Sequence, residues 1–165
     1  MNVTALKSRP LVPPKDDLYA ALDEALVRVP ERSVVAVSSK VVAITEGRCV
    51  LPPEGLDARG LLEFKDNLAQ KEADLFLPRD GSAPYSYICA IKNGVLIGSA
   101  GIDQSNGNGY LILWPQDPSR SARELRTHLM ERHALTELGV LITDSKSSQL
   151  RNGVTGMAIG YAGFR

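Results

Sequence analysis

At 165 residues the chain has room for one domain with a real core and too little for two ordinary ones. Hydrophobic residues at 44% and charged residues at 23% exclude fibrous and disordered classes. Lysine plus arginine and aspartate plus glutamate each total 19, so no global field draws in nucleic acid or an anionic membrane, and any anion must be captured locally. No run approaches membrane-spanning length, and the charges and prolines of MNVTALKSRPLVPP do not suit a secretory leader, so a cytoplasmic protein is expected. Cys49 and Cys89 lack CxxC spacing and read as free thiols.

In chain order, Asn2–Leu6 is compatible with a short strand, and the prolines of Lys7–Pro14 with an extended loop. From Asp16 to Val29 the apolar set Leu18, Leu22, Ala25, Leu26 and Val29 recurs at helical spacing, with two aspartates at the start and Pro30 as the stop. Ser33–Val37 and Val41–Ile44 are β-branched runs that predict two strands separated by Ser38-Ser39-Lys40. That break is either a polar turn or a phosphate contact. Glu46-Gly47-Arg48 predicts a tight turn into Cys49–Leu51.

Between Pro52 and Pro84 the chain is less regular, with helical pieces expected at Asp57–Phe64 and Lys65–Leu77. Tyr87–Ile91 and Val95–Ile97 predict a hairpin, because Asn93-Gly94 favours the turn whose twist matches the strands. After the loop Gly98–Gly109 and the apolar run Leu111–Trp114, Asp117-Pro118 predicts a helix start. That helix runs to about His133, with Ala122, Leu125 and Leu129 inward and Arg120, Arg123, Glu124 and Arg126 mostly outside. Gly139–Thr143 and Val154–Ala162 predict strands, the second approaching other backbone at Gly156 and Gly160. Helices and strands alternating without a regular period predict an α+β class, a mixed sheet with packed helices.

The sequence contains no P-loop, no GxGxxG after a strand, no HExxH and no GxSxG. His128 and His133 are too far apart around a helix to share a zinc ion. What remains is a set of oxygen donors, Asp103, Ser105, Asn106, Asp117, Asp144 and Ser145, with Lys40 and Arg151 as cations. Hard oxygen donors at strand ends suit Mg2+ or Mn2+ and the phosphates such an ion carries. Each residue alone also has a plain reading: Asp103 caps a turn, Asp144 ends a strand, Asp117 caps a helix, Arg151 is solvated.

Several blocks occur in a fixed order: Ser39-Lys40-Val41-Val42 with Glu46-Gly47-Arg48; Ala100-Gly101-Ile102-Asp103-Gln104-Ser105-Asn106; Trp114-Pro115-Gln116-Asp117-Pro118 with Ser121-Ala122-Arg123; Ile142-Thr143-Asp144-Ser145 with Leu150-Arg151 and Gly153; and Ala158-Ile159-Gly160-Tyr161-Ala162-Gly163. The series resembles the motifs of the coenzyme F-420:L-glutamate ligase (gamma-glutamyl ligase) family. The block around Asp144 is closer in form to a bacterial branch proposed to serve folate metabolism.

The resemblance implies an α+β fold of the F-420 gamma-glutamyl ligase type, an intertwined homodimer, and a ligase driven by ATP or GTP with Mg2+ or Mn2+. It would add L-glutamate to a carboxylate of a folate or deazaflavin acceptor through an acyl phosphate. By this resemblance Asp103, Asp144 and Ser145 match metal-binding positions. Ser39, Lys40, Asn106 and the loop Arg9, Pro10, Leu11 and Val12 match nucleotide contacts, and Lys40 and Arg151 would offset charge during phosphoryl transfer. Ile44 stands where deazaflavin ligases carry a second lysine, and the family continues through a C-terminal region beyond Arg165. A metal-dependent phosphohydrolase and a catalytically silent nucleotide-binding remnant are the rival expectations.

Overall fold

A computed structural model describes residues 2–79, 88–147 and 150–164. The first helix, α1 (Leu18–Ala25), starts where Asp17 accepts the Ala20 N–H, so one orphan amide is capped by a carboxylate at the positive end of the helix dipole. It ends before Pro30. Leu26 and Val29 are still buried beyond the end of the helix, so the apolar spacing outlasts it. The described residues before the helix contain no strand, and Asn2–Leu6 lie exposed. Here Arg9 and the Val12 N–H both bind Asp16, which folds the loop onto itself.

Strand β1 (Ser33–Ser38) runs directly into helix α2 (Ser39–Thr45). The expected strand Val41–Ile44 is therefore helical. β-Branched residues favour strands only where a pleated surface receives them. Val42, Ala43 and Ile44 bury together, Val42 in the main core and its two neighbours against Ile112, as one helical turn allows.

After the turn at Gly47 come β2 (Cys49–Val50) and α3 (Ala58–Glu72), a single helix capped by Asp57 where two pieces were expected. No breaker separates Phe64 from Lys65. Leu75–Leu77 leave the helix to form strand β3, which pairs with β4 (Cys89–Lys92) and through it with β5 (Val95–Gly98). Asn93 and Gly94 both take positive φ, 51° and 74°, as the hairpin turn requires. Tyr87, the expected start of β4, lies outside the described residues, as do Ser148 and Gln149 of the block around Asp144.

A short 3-10 turn (Ser99–Gly101) follows, then β6 (Leu111–Ile112), α4 (Pro118–His133), β7 (Leu138–Ser147) and β8 (Val154–Ala162). Asp117 caps α4 through the Arg120 N–H, and Ala122, Leu125 and Leu129 are fully buried as their spacing predicts. Arg126 differs from its neighbours on that helix: half-buried, it donates to the Leu138 carbonyl.

The central sheet has the order β1-β7-β8, with β1 parallel and β8 antiparallel to β7. The other strands form β2-β6 and β3-β4-β5, so the described sheets are mixed and the fold is α+β. One apolar core joins α1, α2 and α4 to the central sheet, and a second joins α3 to β4, to Ala100 and Ile102 in the Gly98–Gly109 loop and to Leu111 and Leu113 after it. Cys49 and Cys89 are both free.

The glycines of β8 are not equivalent. A Cβ at Gly160 would collide with the Pro118 backbone at the start of α4, whereas one at Gly156 would meet nothing, so the expected close approach holds only at Gly160. Gly160→Ala should therefore lower the unfolding free energy by about 1–3 kcal/mol through overpacking. Gly156→Ala should stay within roughly 0.5 kcal/mol of the parent. Denaturant unfolding of the two variants checks this, and equal effects would contradict the packing of β8 on α4.

Candidate functional site

The parallel ladder of β1 and β7 ends at Ser38 opposite Thr143, and the two chains then part. β1 becomes α2, which sends Ser39 and Lys40 out at its first turn, while β7 continues as Thr143, Asp144 and Ser145. Side chains alternate along a strand, so Asp144 lies on the same face as the buried Val140 and Ile142, at the edge of the core. The pairing with β8 skips Ile159 at this point, a bulge that leaves the alternation of β7 intact.

The third wall comes from the Gly98–Gly109 loop. Asp103 and Ile112 form an antiparallel bridge with two backbone hydrogen bonds of 2.8 Å, so both side chains point to one face of a narrow ribbon. That face closes a cavity of about 360 Å³ whose lining includes Ser39, Lys40, Asp103, Trp114, Asp144 and Ser145.

Within it the carboxylates are held differently. Asp103 accepts from the Ser105 N–H and hydroxyl, each at 2.7 Å, and pairs with Lys40 Nζ at 2.5 Å. Lys40 also donates to the Ser105 carbonyl at 2.7 Å. Burial pushes Asp103 up, but the Lys40 ammonium and the Ser105 donors outweigh it and keep the carboxyl below its ordinary range. Asp144 accepts from the Trp114 indole Nε1 at 2.5 Å and from the Ser145 N–H at 2.8 Å. Its burial prevails over the Trp114, Ser145 and Ser39 donors, and the Asp103 charge adds to the rise, so Asp144 sits above the ordinary range.

Two carboxyl groups and the Lys40 ammonium, which is paired with Asp103, thus face one partly enclosed space. The donor chemistry fits a hard divalent cation. Among the described residues no group of three or more His, Cys, Asp or Glu side chains could hold a metal ion. Mg2+ asks for no such cage, because it binds through one or two carboxylates and completes its shell with water and substrate phosphates.

Of the residues singled out in the sequence, Ser39, Lys40, Asp103, Ser105, Asp144 and Ser145 meet in this cavity. Others do not line it. Arg9 is engaged by Asp16, Leu11 packs against the core beside α2, and Pro10 and Val12 flank it in the same loop. Asn106 is an exposed loop residue with φ +54°, Asp117 caps α4, and Arg151 is exposed beyond the end of β7. His128 binds Asp23 and stacks edge-on against Tyr19, a packing role.

Sequence reasoning missed Trp114, which it placed in an apolar run. The available signal was chemical: a buried indole needs a partner for its N–H.

A sequence model of the F420-0:Gamma-glutamyl ligase family matches residues 8–165. The chain belongs to that family. It is 34% identical over 163 residues to the coenzyme F420:L-glutamate ligase of Methanopyrus kandleri, covering 92% of this chain and 62% of that protein. The ligases of the same name from Archaeoglobus fulgidus and Haloarcula marismortui are each 32% identical, over 184 and 180 residues. Those matches cover 100% and 99% of this chain and 68% of each relative. The chain thus spans about two thirds of the length of the curated relatives it matches. Among the described residues no helix is long and apolar enough to cross a membrane.

The opposite environments of the two aspartates predict opposite stability effects in metal-free protein at neutral pH. The folded state penalises the charge on Asp144, so Asp144→Asn should leave the melting temperature unchanged or raise it. It favours the charge on Asp103, so Asp103→Asn should lose up to about 1 kcal/mol, the worth of a half-exposed ion pair. Calorimetry in chelator compares them; destabilisation by Asp144→Asn alone would contradict the charge assignment.

Proposed function

We propose that this chain carries the metal and phosphate site of a γ-glutamyl ligase that joins L-glutamate to an acceptor carboxylate at the expense of ATP or GTP. The observation that carries the reading is the meeting of Asp103, Asp144 and Lys40 in one cavity. Family membership supports the reaction class, and the relatives' names suggest an F420-type acceptor, with a folate as the other candidate.

Joining an amine to a carboxylate fails in water because oxide is a poor leaving group. Transfer of the terminal phosphoryl group to the acceptor carboxylate yields an acyl phosphate and a nucleoside diphosphate. The glutamate amine then attacks the acyl carbon, the C–N bond forms, the C–O bond to phosphate breaks, and the amine loses a proton. Phosphoryl transfer asks mainly for positioning and charge neutralisation.

In this reading Asp103 and Asp144 would hold Mg2+ or Mn2+, with Ser145 lining the cavity beside them, and the ion would supply charge neutralisation to the phosphates. Lys40, which pairs with Asp103, would donate to the phosphate oxygens. Ser39 donates from the first turn of α2. Arg9–Val12, Asn106 and Arg151 lie outside the cavity and receive no role in the transfer step.

On the other face of the Asp103 ribbon, Gln104 and Leu111 border a hollow of about 320 Å³ with Leu51, Leu56 and Leu61, a bed for the uncharged body of the acceptor. A homodimer belongs to the same proposal. It is supported by the exposed face of β3-β4-β5, where Leu75, Leu77 and Leu96 are 66%, 69% and 43% accessible.

The assay combines the protein with labelled glutamate, ATP or GTP, Mg2+ or Mn2+, and each candidate acceptor. The expected product is one glutamyl unit heavier than the acceptor and appears with one nucleoside diphosphate and one phosphate. Asp103→Asn and Asp144→Asn should each slow it by roughly 10²-fold or more. Phosphate release that ignores glutamate would favour a phosphohydrolase, and nucleotide binding without any product would favour a binding protein.

A further inference from the structure

We infer that Trp114 is the positioning residue of Asp144: its indole N–H fixes the carboxylate in the cavity, and a chain of polar contacts from the second core fixes the indole. The inference rests on the proposed metal site.

Trp114 is 1% exposed, so its N–H has no water to fall back on and must find a partner inside the protein. A structural tryptophan could satisfy that need with any carbonyl. Here the N–H goes to a side chain that faces the cavity, Asp144 Oδ2 at 2.5 Å. The other oxygen accepts the Ser145 N–H at 2.8 Å. Each carboxylate oxygen therefore has a donor from the chain, Ser39 is a third donor to the group, and lone-pair capacity remains for something else. With both oxygens tethered, the carboxylate cannot rotate freely about its last bond.

The donor is itself immobilised from two directions. Gly101, at φ +77°, lays bare backbone against the ring, and a Cβ there would overlap the indole Nε1, Cε2 and Cδ1 atoms. On the main-chain side the Trp114 carbonyl accepts from Arg48 Nε at 3.1 Å. The Arg48 guanidinium binds Glu72 of α3 at 2.5 Å, and Glu72 also binds Lys92 of β4, which is 7% exposed. Lys92, Glu72, Arg48, Trp114 and Asp144 thus form one connected path from the β3-β4-β5 sheet to the central sheet. Phenylalanine at 114 would keep an aromatic ring in part of that space and leave Asp144 without the indole donor.

Mn2+ alone is the first probe. Titration followed by the electron paramagnetic resonance of free Mn2+ should give a site in the parent protein that is weakened about 10- to 100-fold in Trp114→Phe, the usual cost of losing a partner that orients a ligand. A merely structural indole would lower the melting temperature of Trp114→Phe and leave its Mn2+ affinity unchanged, which would overturn the inference.

A second measurement leaves Trp114 in place and so survives misfolding of that variant. The chain has a single tryptophan, so biosynthetic 5-fluorotryptophan puts one 19F label at position 114. Its resonance should shift on adding Mg2+ to the parent and stay fixed in Asp144→Asn. A resonance that does not move in a parent protein shown to bind the ion overturns the role of Trp114 alone. A parent protein that binds neither Mn2+ nor Mg2+ overturns the metal reading, and this inference with it.

Discussion

Ser33 to Ser38 lie beside Leu138 to Thr143 in parallel register, and this ladder brings together residues far apart in sequence. Parallel strands need a crossover, and here it carries most of the chain, including α3, the β3-β4-β5 sheet, the Asp103 loop and α4. Val37, Val140 and Ile142 bury the ladder, so its register is fixed by the core and not by the polar residues at its end. A slip of one residue would turn Asp144 away from the cavity. Placement of the site is therefore a consequence of hydrophobic packing.

What packing places, electrostatics must then tolerate. Two carboxylates in a partly enclosed space repel each other, and the protein answers unequally. Lys40 and Ser105 stabilise the charge on Asp103, while Asp144, more deeply set, receives neutral donors that do not offset its burial. Such an arrangement costs stability in the metal-free protein, as functional sites commonly do. Under the proposed function a divalent ion would offset the repulsion between the two carboxylates.

Much of this fold is legible locally. Asp117-Pro118 starts α4, and Asn93-Gly94 turns the hairpin, because a cap and a turn depend only on neighbours in sequence. Val41–Ile44 misleads because the β-branched preference is weaker than the burial of Val42, Ala43 and Ile44 on a helical turn. Leu75–Leu77 misleads in the other direction: it reads as the end of a helix until β4 offers it a partner.

For the site, residue type points to Asp103 and Asp144, but their meeting depends on tertiary register. The resemblance to the ligase family brings them together through ordered motifs, and those motifs touch in the fold. Glu46 accepts from Gln116 and Ser121, and Arg48 donates to Trp114. The tie between Trp114 and Asp144 has no local signature. Arg9 shows the reverse limit: its charge suits a phosphate, yet Asp16, on the same loop, already holds it.

The proposed site requires Asp103 and Asp144 to share one cation. Anomalous diffraction from crystals grown with Mn2+ and a non-hydrolysable nucleoside triphosphate locates that ion. A shared site gives a manganese peak between the two carboxylates, with Lys40 moved from Asp103 to a phosphate oxygen. A manganese peak elsewhere, with Lys40 still paired to Asp103, would contradict it.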